Sequence, residues 1–377
     1  MTDLVPLNDM MNGGIRKLLE QAGRVHVSSP PLAAFMLRSM RHQARAAALR
    51  TSWEKLGTHV PPFLIVSVTN RCNLGCKGCY SAAQHRPKEG ELTEARFRRL
   101  LEECTELGVS FALLAGGEPL VRPEILQVAK SFPHILFPVF TNGVLIDDAV
   151  LDLISSSRNL IPIVSLEGDG LTTDERRGEG VYARILSSMA AMRPRGIFSG
   201  LSITVTRANL SQVTSPAFVK ELVDKGSRLF FYVEYVAADE ASGELALSQD
   251  DRLALNLSLA ALRRSHPAVF IAFPGDEAEV GGCLAAGRGF VHISARGEVE
   301  PCPFTPWSDT NLSNTSLRDA LASPLLATIR DHHEELKETS GGCALWAKRE
   351  WVQSLLAAQP EAQHPEAQPQ GRAEVSG

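Results

Sequence analysis

The chain has 377 residues, is 44% hydrophobic and 21% charged, and carries a net charge of −5. That balance is ordinary for a folded protein with a sizeable core. It gives no sign of a nucleic-acid partner, and no apolar run reaches the about 20 residues of a membrane helix. The seven cysteines are odd in number and clustered, which speaks against a disulfide framework and for a reducing, cytoplasmic setting. Met1-Thr2-Asp3 lacks the basic start and apolar core of a secretory signal.

Residues 1–57 read as an N-terminal helical segment, with Leu32, Phe35, Met36, Met40, Ala44 and Ala47 at helical spacing. Arg38, Arg41 and Arg45 form another face, and no acidic residue falls between Glu20 and Glu54. Such a segment suits packing on the protein's own body with its arginines in water; the alternative is contact with an anionic membrane surface. Residues 58–270 alternate strand and helix signals. Strands are expected at Phe63–Thr69, Phe111–Ala115, Ile135–Thr141, Ile161–Leu166, Leu201–Thr206 and Leu229–Val236. Six βα units in a row imply an α/β fold with a parallel sheet and right-handed crossovers, able to curl into a partial barrel. Residues 271–356 read as a small α+β unit, with a hairpin over Phe290–Cys302 turning at Arg296-Gly297. Residues 357–377, rich in proline and glutamine, read as a disordered tail.

The most informative stretch is Cys72-Asn73-Leu74-Gly75-Cys76-Lys77-Gly78-Cys79-Tyr80. Thiolates are soft ligands suited to iron–sulfur clusters. Three of them serve three irons of a cubane and leave the fourth open to a ligand. A structural zinc is the competing reading, but it prefers four paired ligands, and no fourth lies at a paired spacing nearby. A second feature, Gly116-Gly117-Glu118-Pro119, closes the second strand. Ligands of parallel sheets bind beyond the carboxyl ends of the strands, where Thr141-Asn142-Gly143 and Ser165-Leu166-Glu167-Gly168 also fall. Glu234, mid-strand in an apolar run, is either a cavity contact or half of a buried ion pair. Cys104 sits in a helical pattern and reads as a packing residue.

The cysteine trio and the Gly-Gly-Glu-Pro run together resemble the radical S-adenosylmethionine (SAM) enzymes over roughly residues 60–350. The resemblance implies a partial (β/α)6 barrel in which Cys72, Cys76 and Cys79 hold a [4Fe-4S] cluster. It implies SAM contacts from Tyr80, Gly116, Gly117, Glu118, Pro119, Thr141, Asn142, Ser165 and Arg177, with Ile203, Val205 and Asn209 near the adenine. Glu167 stands where relatives often have aspartate. The run from Cys283 through the hairpin to Pro301-Cys302-Pro303, with Cys343, resembles the SPASM or shorter Twitch extension. That implies one auxiliary [4Fe-4S] cluster on Cys283, Cys302 and Cys343, with a fourth ligand such as Asp309 or His332, or substrate itself. The implied activity is reductive cleavage of SAM to a 5′-deoxyadenosyl radical that takes hydrogen from a peptide, protein or small molecule. A reductant such as flavodoxin or ferredoxin would supply the electron. The alternatives are a radical SAM enzyme of a lipid or cofactor pathway and an iron–sulfur electron-transfer protein without radical chemistry.

Overall fold

The computed structural model describes residues 7–25, 30–237, 240–273, 282–336 and 343–357; the expected tail lies outside them from residue 358 on. Two helices, α1 (Leu7–Val25) and α2 (Pro30–Lys55), precede the first strand, β1 (Phe63–Thr69). The chain continues through α3 (Tyr80–Ala83), α4 (Glu94–Leu107), β2 (Phe111–Gly116), α5 (Pro123–Lys130), β3 (Phe137–Thr141), α6 (Asp148–Ser155) and β4 (Leu160–Leu166). Then come α7 (Gly170–Arg177), α8 (Val181–Met192), β5 (Gly200–Val205), α9 (Leu210–Val213), α10 (Pro216–Asp224), β6 (Leu229–Glu234), α11 (Gln249–Ser265) and β7 (Val269–Phe273). The last elements are β8 (Phe290–Ile293), β9 (Val299–Glu300), α12 (Leu317–Leu321), α13 (Pro324–Asp331), α14 (Ala344–Ala347) and α15 (Arg349–Ala357). Helix starts follow local chemistry: Thr93, Asp147 and Ser215 each accept a backbone N–H of the first turn.

One sheet organises the molecule, in the order β7-β6-β5-β4-β3-β2-β1-β8-β9. All neighbours are parallel except β9, which returns antiparallel along β8. The six expected strands are β1 to β6. The sheet extends beyond them by β7 at one side, and by the expected hairpin, which pairs with β1 in the register Phe63↔Phe290. Outward side chains such as Leu64, Val66 and Leu114 pack under the helices with Phe97, Leu100 and Leu126.

The N-terminal helices close the end of the barrel away from the strand tips. Ile15, Leu19, Leu32, Phe35 and Met36 pack on Phe111, Leu136, Ile161, Leu229 and Val269, which stand at or next to strand starts. Each large apolar side chain so buried contributes about 1.5–3 kcal/mol. Phe35 and Met36 lie on the buried face as expected, but Met40 and Ala44 are exposed, and Ser39, Gln43 and Arg50 replace them inside. The face rotates because Arg50 reaches under α4 to donate to the Gly108 carbonyl and the Ser110 hydroxyl.

Candidate active site

The loop Asn70–Cys79 leaves the carboxyl end of β1, and neighbouring strand ends hold it in place. Gly117 N–H donates to Thr69 O (2.7 Å) and Glu118 N–H to Arg71 O (2.8 Å). A side chain on Gly116 or Gly117 would run into the carbonyls of Thr69 and Arg71. The two glycines therefore let one loop lie against another, a physical reason different from close approach to a ligand. Glu118 is buried. Its carboxylate accepts from the Thr141 hydroxyl (2.7 Å), Asn142 N–H (2.7 Å) and Leu120 N–H (3.0 Å). Burial pushes its pKa up, while those donors pull it back. Pro119 opens the short turn that follows. Asn142 continues the chain of contacts, donating to Asn73 Oδ1 (2.8 Å) and approaching Cys72 Sγ at 3.9 Å.

On the other side, α7 grips the loop. Lys77 N–H donates to Arg176 O (2.9 Å), and Arg176 Nε donates back to Lys77 O (3.2 Å). Glu167, whose role the sequence left open, is buried and clamps two arginines, Arg176 at 2.6 Å and Arg177 Nε at 2.9 Å. Asn209 pins the Glu167 and Thr204 carbonyls, both at 2.9 Å. Ser165 is half-buried beside Ser202 in register. Ile203 and Val205, expected near the adenine, instead lie fully buried in the layer between sheet and helices. Strand alternation sends them to the face opposite Ser202 and Thr204.

Sequence reasoning missed Tyr235, just past β6. Its ring lies over the cysteine loop, so that a Cβ on Gly78 (φ +63°) would come 2.8 Å from its hydroxyl. The Arg176 guanidinium sits 5.9 Å from the ring centroid. The missing side chain at Gly78 was the available signal. Glu234, one residue earlier, points the other way and pairs with Arg252 at 2.7 Å, which makes it half of a buried ion pair.

Cys72 is exposed, and Cys76 and Cys79 are half-exposed. Burial raises the thiol pKa of Cys72 and Cys76, and Arg177 pulls that of Cys76 back. A bound metal reverses such a rise, since a coordinating thiol is deprotonated outright. Among the described residues no three His, Cys, Asp or Glu side chains converge as a single ion demands. Tetrahedral zinc, with bonds of about 2.3 Å, would bring its sulfurs to about 3.8 Å from one another. A cubane takes each thiolate on a different iron, and this open trio of thiols fits it.

The other cysteines behave differently. Cys104 is fully buried in α4, as expected of a packing residue. Cys302 hydrogen-bonds with Cys343 and lies within electrostatic reach of Cys283; the Cys343 contact and burial push its thiol pKa up. Three distant segments thus bring this second set together. Asp309 is committed to the start of α13, accepting Leu325 N–H at 2.8 Å, and His332 is exposed against Trp351. The second set abuts the first: Tyr80 packs its ring 5.1 Å from Phe304, and Gln84 donates to Pro303 O (2.7 Å).

Residues 66–212 match the family model of the radical SAM superfamily. The chain is 29% identical over 323 residues to the pre-heme d1 synthase of Dinoroseobacter shibae, covering 75% of this chain and 79% of that one. It is 26% identical over 253 residues to the PqqA peptide cyclase of Gluconobacter oxydans, covering 64% and 70%. Its fold is similar to that of Streptococcus suis SuiB bound to the precursor peptide SuiA, with TM-score 0.61, 18% identity, and 82% and 74% of the chains covered. The parallel sheet, the thiol loop at its mouth and these likenesses converge on one conclusion: residues 66–212 carry a radical SAM domain, of a superfamily whose enzymes use SAM and a [4Fe-4S] cluster.

Proposed function

We propose that the chain abstracts hydrogen from a compact organic substrate admitted at the carboxyl end of the barrel, and that a second cluster sits on Cys283, Cys302 and Cys343. The observation that carries this reading is the meeting of the two cysteine sets through Tyr80 and Phe304. Cys72, Cys76 and Cys79 would hold the first cluster, which supplies the electron for SAM cleavage when bound. The chain's own residues orient and shield. Gly116 to Pro119, Thr141 and Asn142 form the wall on one side of the loop, and Ser165, Arg177 and Tyr235 the other. Arg177 would exchange part of its pairing with Glu167 for the SAM carboxylate, and Tyr80 would stand between the two sets. We take residues 1–57, 58–270 and 271–356 as plug, barrel and auxiliary unit.

A compact substrate is favoured because α1 and α2 are spent on closing the barrel, leaving no recognition module among the described residues. The similarity to pre-heme d1 synthase, over three quarters of both chains, agrees with a cofactor-type molecule. A peptide is the second reading, favoured by the fold shared with peptide-bound SuiB. No helix among the described residues is long and apolar enough to cross a membrane. The packing of α2 on the barrel leaves the anionic-surface reading without support, and an external one-electron donor of the flavodoxin or ferredoxin kind would serve the site. Anaerobic reconstitution, iron counting and a 5′-deoxyadenosine assay test the reading. Zinc in place of iron, or no 5′-deoxyadenosine with dithionite and SAM, overturns it.

A further inference from the structure

Below the cysteine loop, on the inner face of β1 and β8, lies a polar cluster that the reaction as described does not use. Ser67 Oγ is 2.8 Å from His292 Nε2, and His292 Nδ1 is 2.7 Å from Glu300 Oε2. Arg86 holds Glu300 with two bonds of 2.7 and 2.8 Å. The strand register makes the arrangement: Ile65 pairs with His292 and His292 with Glu300, and Ser67 follows Ile65 on the same face. That face looks into the barrel, since Phe63 packs against the N-terminal plug.

Ser67, His292 and Glu300 are all buried, at 7%, 2% and 2% exposure. Apolar residues of similar volume would serve stability as well or better there. The order of the groups has chemical direction. The carboxylate fixes the Nδ1–H tautomer, which leaves the Nε2 lone pair aimed at the serine hydroxyl. From β1 the imidazole faces Ser67 and from β9 Glu300; Arg86 pairs with Glu300, and Tyr80 lies within electrostatic reach of Glu300, Arg86 and Cys302.

We propose that Ser67 and His292, oriented by Glu300, form the proton acceptor of the substrate chamber. The inference rests on the radical reading above and narrows the substrate class to a molecule bearing a hydroxyl, thiol or amide N–H beside the carbon that loses hydrogen. Ser67 takes that proton while passing its own to His292 Nε2. The substrate ends one proton poorer, and an imidazolium ends beside Glu300.

Diisopropyl fluorophosphate tests this on the anaerobically purified full-length protein, without SAM. In the labelling step a bond forms between Ser67 Oγ and phosphorus, the P–F bond breaks, the hydroxyl proton goes to His292 and fluoride leaves. One adduct on Ser67 by peptide mass mapping is expected. Ser67→Ala should abolish it, and His292→Gln and Glu300→Gln should slow it at least tenfold. An unlabelled Ser67 overturns the proposal in the wild-type protein alone, whatever the variants do. Labelling does not depend on SAM cleavage, so 5′-deoxyadenosine assayed beside it reports separately on the radical reading.

Discussion

The two cysteine sets are built in opposite ways. The first is one loop of eight residues, exposed to half-exposed, whose shape comes from outside itself: Thr69 and Arg71 accept from the Gly-Gly-Glu run, Asn142 holds Asn73, and Arg176 holds Lys77. The second is drawn from three segments, with Cys283 and Cys302 buried and Cys343 half-buried at the start of α14. A loop held from outside can open one position to a ligand. A site closed from three directions is suited to being kept. The comparison predicts a reactive first site and a supporting second one.

The strongest way to break that comparison is to remove each set in turn. Cys72→Ala/Cys76→Ala/Cys79→Ala should abolish 5′-deoxyadenosine formation, while Cys283→Ala/Cys302→Ala/Cys343→Ala should keep SAM cleavage in the absence of substrate and lose product formation. Iron should fall from about eight to about four per chain in either case. Equal loss of SAM cleavage in both variants would show the two sets to be one functional unit.

A smaller effect separates the supports. Glu167→Gln removes the charge that neutralises Arg176 and Arg177, and breaking such a buried pair costs about 3 kcal/mol. Urea unfolding should register that cost, and the first set should lose iron to a chelator sooner than the second. Glu118→Gln is milder. One of three donors is left facing an amide NH2, at about 1–3 kcal/mol in the same measurement. If both variants lose iron from both sets alike, the supports are not local to the first loop.

The first set was legible in the sequence because its ligands are neighbours in the chain. So were β1 to β6, whose apolar runs end in turn residues, and the hairpin around Gly297 (φ +89°). What escaped is non-local. β7 is five residues long and follows a helix with no motif to mark it. Nothing in the run Phe290–Ile293 says that it continues the barrel sheet beside β1. Glu167 is a clamp only because α7 brings two arginines back to it, and His292 has meaning only opposite Ser67. The buried polar face of α2 depends on Arg50 finding carbonyls and hydroxyls at the end of α4. Each of these is a relation between distant residues, which periodicity cannot express.

The finest test of the comparison is the cap of α7. Asp169 accepts from Thr172 N–H and the Thr172 hydroxyl, both at 2.9 Å, and from Gln212 at 2.8 Å. The Thr172 amide and hydroxyl hold its carboxyl below the usual carboxylate range. A depressed acid stabilises the fold fully above its unfolded pKa of about 3.9, and the gain is lost as pH falls through the lower folded value. Asp169→Ala should therefore cost about 0.5–2 kcal/mol near neutral pH, and the gap in Tm from wild type should close in acid below about pH 4. Because α7 carries Arg176, whose backbone and side chain both hold Lys77, the loss should reach the first cysteine loop and spare the second set. Chelator-driven iron release measured at neutral pH reads that difference directly: faster loss from the first set alone keeps the two sites independent, and faster loss from both would show that α7 braces the whole mouth of the barrel.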